Sequence, residues 1–170
     1  TEQSELHIDE LHREIESCKE SKKAHEANII SLQDHDSKII EQVRELMINS
    51  PKKKAQEFNN VIVKLDSKLE RLKKELDFYN NNDKCPTCTQ TIDPLLKTEV
   101  HDKTVMESKK ILEARQLAST KHQELKSLLD EILEKEEQAF KVQQDVSKEQ
   151  VIVESLQNQI VDKENKIIHI

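Results

Sequence analysis

The residues of this chain best suited to chemistry are Cys85 and Cys88, which bracket Pro86-Thr87 in a C-x-x-C. Such a knuckle places two thiolates on one side of a tight turn, which is half of a tetrahedral zinc site. A structural zinc takes four ligands. The third cysteine, Cys18, lies 67 residues earlier, roughly 100 Å away if the intervening chain is helical. The nearest histidine, His101, is expected two turns into the following helix and pointing along it. One chain therefore offers two ligands, and a second copy of the loop would complete a two-fold site of four thiolates, with one Zn2+ per dimer. Metal would then act as an oligomerisation switch. Two other readings stand beside this one. A C-x-x-C can be a redox pair, although that pair normally sits at a helix N-terminus near a βαβ pattern, and no strands are visible here. The cysteines can also be incidental. Cys18 reads as a small core residue.

Little else in the sequence suggests a reaction. His7, His12, His35, His122 and His169 have no ligand-like spacing, and no serine, histidine and acid arrangement stands out. Lys52-Lys53-Lys54 reads as a solvated face rather than a nucleic-acid contact. The 170 residues contain no glycine, which removes every glycine-rich phosphate loop and makes tightly turned sheets improbable. The formal charge of −7 argues against a DNA- or membrane-binding surface along the chain. No apolar run exceeds three residues, so no membrane span and no signal peptide is expected. The odd cysteine count fits a reducing, intracellular compartment. The chain opens at Thr1 without Met, as expected of a piece of something longer.

The elements that must carry the cysteines are legible as heptads. One stripe runs Ile8, Leu11, Ile15, Cys18, Lys22, His25, Ile29, Leu32, Asp36, Ile39, Val43, Leu46. A second runs Phe58, Ile62, Leu65, Leu69, Leu72, Leu76, Tyr79. A third runs from Ile111 through Ala114, Ala118, Lys121, Leu125, Leu128, Ile132 and onward to Ile170. A 3.5-residue repeat held this long predicts helices supercoiled against partner helices. Between Lys97 and Lys110 no stripe is sustained. Asn80-Asn81-Asn82-Asp83 is a helix stop and Asp93-Pro94 a helix start. With 84 residues before Cys85 and 82 after Cys88, the predicted fold is all-α: a long antiparallel coiled-coil hairpin with the C-x-x-C loop at its apex. The ascending arm is 1–82, with a break near 49–55 at Pro51; the loop is 83–93; the descending arm is 94–170.

In an antiparallel pair folded about one loop, the residue numbers of facing positions add to a constant. A sum of 171 suits the first stripe, because it sets Lys22 against Glu149 and Asp36 against Lys135. A sum of 178 would leave Asp36 against Val142 and Lys22 against Leu156, burying unpaired charge. At 171, His25 and Lys163 lack charged partners. Beyond Pro51 a sum of 176 suits the second stripe, with Phe58 against Ala118 and Leu65 against Ile111.

The Cys85-Pro86-Thr87-Cys88 motif, its central position and its flanking heptads resemble the zinc-hook region of the SMC-like ATPase subunit of the DNA double-strand-break repair nuclease complex. Bacteriophage recombination-endonuclease members look like a home for it. The resemblance covers the apex residue for residue, and the arms only in general character. It implies ATP-binding head segments on either side of this piece, a nuclease subunit and DNA at those heads, and two hooks sharing one zinc through Cys85 and Cys88 of each chain. The fragment itself would be non-catalytic, a homodimerising tether lying in the cytoplasm or nucleoid, or the nucleus of a eukaryote. Phe78, Tyr79, Ile92, Leu95 and Leu96 would support the hook or its dimer surface. The competing expectation is a purely structural coiled-coil rod with incidental cysteines.

Overall fold

The computed structural model describes residues 2–170 and is all-α. Helix α1 spans Glu2–Met47, α2 Pro51–Asn81 and α3 Pro94–Ile168. There is no strand among the described residues, only an isolated antiparallel bridge between Lys84 and Thr91. The helices divide into two compact units, taken here one at a time.

The first unit holds α1 and Ile132–Ile170. Every position of the first heptad stripe, from Ile8 to Leu46, is buried or half-buried, and the positions between them are exposed. Leu11, Ile15 and Ile39 on α1 and Ile132, Ala139 and Ile160 on α3 are the most enclosed. Burying an apolar side chain fully stabilises by about 1.5–3 kcal/mol, and two helices alone enclose each position only in part. Long stripes compensate by summing many such contributions.

Cross-helix side-chain contacts fix direction and register in this unit. Glu14 meets Lys163, Cys18 meets Gln159, Lys22 meets Gln157, His25 meets Glu149, Asp36 meets Gln143 and Gln42 meets Lys135. Rising numbers on α1 meet falling numbers on α3, so the segments are antiparallel. Five of these pairs add to 177 or 179 and the sixth to 174. These contacts centre on 178, one heptad from the 171 read from the charges. Asp36 lies at the level of Val142 after all. It is not stranded, because Gln143 Nε2, one residue along, donates to both its carboxylate oxygens at 3.4 Å. Lys22 reaches Gln157 at 2.8 Å in the same way, and His25 and Lys163 find the carboxylates of Glu149 and Glu14. Stripe positions in a two-helix pair are half-open, so a charged side chain bends to a flanking partner and escapes the cost of burial.

The second unit is Ile48–Glu131. Ile48, Asn49 and Ser50 separate α1 from α2, a narrower break than the 49–55 span. Ser50 is left-handed (φ 48°, ψ 58°), makes no side-chain cap, and hands over to a buried Pro51 in the first turn of α2. Proline suits that place because its missing N–H would have no helical partner there. The apolar stripe of α2 faces inward throughout, and Ala55 and Leu72 are fully buried. On α3 the inward positions include Lys97, Val100, Thr104, Ser108, Ile111, Arg115, Ala118, His122, Leu125 and Leu128. Ala114 and Lys121, expected in the stripe, are exposed; Arg115 and His122 take their places. Asp66 pairs with Arg115 and Asp83 with Lys97, numbers that add to 181 and 180. A register near 180 replaces the expected 176. It sets Leu69 opposite Ile111, Ile62 opposite Ala118, Leu76 opposite Thr104 and Phe58 opposite His122.

Candidate metal centre

The cysteine loop is built by hydrogen bonds that the local sequence makes available. Helix α2 ends at Asn81, and Asn82 turns extended (φ −130°, ψ 125°). Its Nδ2 donates back to the Phe78 carbonyl at 2.8 Å, satisfying one of the acceptors a helix end exposes. Two extended segments of the loop then close on each other. Ile92 N–H donates to Asp83 O at 2.9 Å, and Cys85 N–H to Gln90 O at 2.8 Å. Inside them Thr89 N–H donates to Cys85 O at 2.8 Å. Thr89 is left-handed (φ 60°), a position glycine would ordinarily fill, in a chain that has none.

On the far side Asp93 Oδ1 accepts the Leu95 N–H at 2.9 Å and Pro94 begins α3, the cap-then-proline start that Asp93-Pro94 suggests. Lys97 Nζ, from the first turn of α3, bonds Asp83 Oδ1 at 2.6 Å and ties the two ends of the loop together. That hydrogen bond and the charge of Lys97 hold the Asp83 carboxyl below its ordinary range.

At the tip Cys85 is half-buried and Cys88 exposed, and both are free thiols. Hydrogen bonds from the Cys88 and then the Thr87 backbone, with the Cys88 side chain next, hold the Cys85 thiol below its ordinary value. N–H groups aimed at a sulfur favour its thiolate, the form that binds metal. The Cys88 sulfur lies 3.8 Å from Gln90 Oε1. The residues present therefore fit a metal in donor chemistry: two adjacent soft sulfurs on one turn, one already charge-stabilised. Among the described residues, no group of three or more His, Cys, Asp and Glu side chains is gathered to hold an ion. One chain brings two ligands to this loop.

The remaining candidates stand apart from it. Cys18 is half-buried in the other unit and donates to Gln159 Oε1 at 3.8 Å. His101 is exposed, with Nδ1 turned to Asp102 at 3.3 Å. Lys52, Lys53 and Lys54 are exposed in the first turn of α2. Of the apolar residues beside the loop, Tyr79 and Ile92 are half-buried, while Phe78, Leu95 and Leu96 are exposed. The Phe78 and Tyr79 rings meet edge to face at 5.3 Å. Sequence reasoning overlooked Thr87, Thr89, Gln90 and the Asp83–Lys97 tie. Opposite charges flanking the loop at Asp83 and Lys97 were the one available signal. No described helix is long and apolar enough to cross a membrane.

Comparison with protein families finds no family model that matches the chain, and comparisons with curated proteins and with solved structures find no match either.

Proposed function

We propose that this chain is a zinc-mediated dimerisation hook on an antiparallel coiled-coil hairpin, with Cys85 and Cys88 of two copies sharing one Zn2+. In this reading the chain is a non-catalytic tether within an SMC-like ATPase of DNA double-strand-break repair or recombination. Head segments outside it work with DNA and a nuclease subunit. One observation carries the metal reading: Cys85 and Cys88 lie on one turn, closed by the Cys85 N–H to Gln90 O and the Thr89 N–H to Cys85 O hydrogen bonds, both at 2.8 Å. The wider assignment rests on the Cys-Pro-Thr-Cys motif lying between two long heptad arms.

Zinc would supply no reaction here, only a bond between chains strong enough to close the dimer. The Asp83–Lys97 tie and the paired backbone of the loop keep Cys85 and Cys88 on one closed turn. The test is molar mass in solution together with zinc content, before and after a strong chelator. The proposal expects twice 19.9 kDa, half a zinc per chain and a monomer after chelation. A dimer indifferent to chelator, and unchanged in the Cys85→Ser/Cys88→Ser double variant, would establish the structural rod instead. A zinc-free monomer that cycles between dithiol and disulfide would establish a redox element.

A further inference from the structure

The two cysteines are served unequally by the loop. Cys85 is held through its backbone, its N–H donating to Gln90 O and its carbonyl accepting the Thr89 N–H, both at 2.8 Å. Cys88 meets a side chain, the carboxamide of Gln90. Gln90 is itself fixed in the loop, since its carbonyl accepts the Cys85 N–H at 2.8 Å and the preceding Thr89 is left-handed.

We propose that Gln90 is the positioning residue for Cys88 as a metal ligand, an inference that rests on reading Cys85 and Cys88 as that metal's ligands. In the thiol form the Cys88 S–H donates to Oε1. A metal-bound thiolate has no proton to give and only accepts. A half-turn of the exposed carboxamide presents Nε2–H at the same place, so one side chain serves both forms. The donated hydrogen bond fixes the sulfur's direction and draws off charge. Four thiolates around Zn2+ carry two excess negative charges, which makes each outer N–H worth more.

The experiment uses the full 170-residue chain with Zn2+ and Co2+ as probes, comparing wild type, Gln90→Leu, Gln90→Glu and Cys85→Ser/Cys88→Ser. Gln90→Leu keeps the bulk and removes the donor; Gln90→Glu keeps the shape and leaves only acceptors near neutral pH. Both should lower Zn2+ affinity by about 10–100-fold in chelator competition. Both should shift the sulfur-to-cobalt charge-transfer band, and the melting temperature of the metal-free protein should stay unchanged. Wild-type affinity and an unshifted band in either Gln90 variant would overturn the role of Gln90 while leaving the hook standing. So would a fall in metal-free stability large enough to account for the loss. A wild-type chain that binds no metal, or a double-serine chain that binds it equally well, would bring down the metal reading and this inference with it.

Discussion

Lys163 of α3 reaches across to Glu14 of α1, one residue before the stripe position Ile15, and not to a charge in its own layer. Its hydrogen bond and charge hold the Glu14 carboxyl below its ordinary 4.5, and the same bond raises Lys163 above 10.5. The sign at each end follows. The lowered carboxyl stabilises the fold above 4.5 and loses that contribution as pH falls through its depressed value. The raised amine stabilises below 10.5 and loses its contribution as pH climbs through the raised value. Glu14→Gln should therefore lower the melting temperature by about 1–2 °C at pH 7, a small effect because Glu14 is exposed and the pair is screened. The difference should narrow as pH falls from 4.5 through the depressed value and as it climbs from 10.5 through the raised one. A gap that showed no narrowing as the pH fell below 4.5 would show that the ion pair is not its source.

The register itself can be tested by cross-linking. With Cys18, Cys85 and Cys88 replaced by Ser, Ile39→Cys paired with Ala139→Cys follows the 178 register and should oxidise almost fully to a disulfide. Ile39→Cys paired with Ile132→Cys follows the 171 register and lies about two turns out of place, beyond the 7 Å that a disulfide tolerates between Cα atoms. Non-reducing electrophoresis separates the two results. Closure of the second pair in preference to the first would restore the register that the charges suggested.

That register shows where reading the sequence succeeds and where it stops. The inward face of α1 and α2 was legible position by position, since Leu, Ile and Val at three-and-four spacing have little choice of face. Register was not, because charge pairing selects a register only where Lys22 and Asp36 are enclosed. In a two-helix pair they are not, and Gln157 and Gln143 satisfy them from the flank. Hydrogen-bonding glutamines carry no charge pattern to read. The α3 stripe near the loop failed for a related reason. Its inward residues include Thr104, Ser108, Arg115 and His122, none of which marks a core. At the loop, Cys85, Cys88 and the Asp93-Pro94 helix start were visible in residue types. The positive φ of Thr89 and the reach of Gln90 depend on backbone direction, which residue identity does not encode.

The break between α1 and α2 offers a backbone test. Ser50 holds φ 48° and makes no side-chain cap. A non-glycine residue pays for left-handed geometry through contact of its Cβ with the following carbonyl. Ser50→Gly should raise stability by about 0.5–1 kcal/mol, or about 1–4 °C for a chain of this size. Ser50→Val, branched at Cβ, should lower it by at least as much. Thermal melts of the two variants answer this directly. If both lower the melting temperature, the Ser50 hydroxyl contributes something the left-handed geometry does not explain.

Leu72 and Leu112 make the last comparison, because they are the same residue on facing helices with opposite exposure. Leu72 is 5% exposed at the centre of the α2 stripe, and Leu112, one residue beyond the buried Ile111, is 54% exposed. Removing a buried leucine side chain loses its transfer energy and leaves a gap that neighbours fill only in part. Leu72→Ala should therefore cost about 2–3 kcal/mol, while Leu112→Ala should stay within about 0.5 kcal/mol. Urea titration monitored by helicity gives both numbers, provided the slope is unchanged between variants. Equal losses at the two positions would mean that α3 buries its outer face against another surface in solution, and a second copy of the chain would then be the first partner to look for.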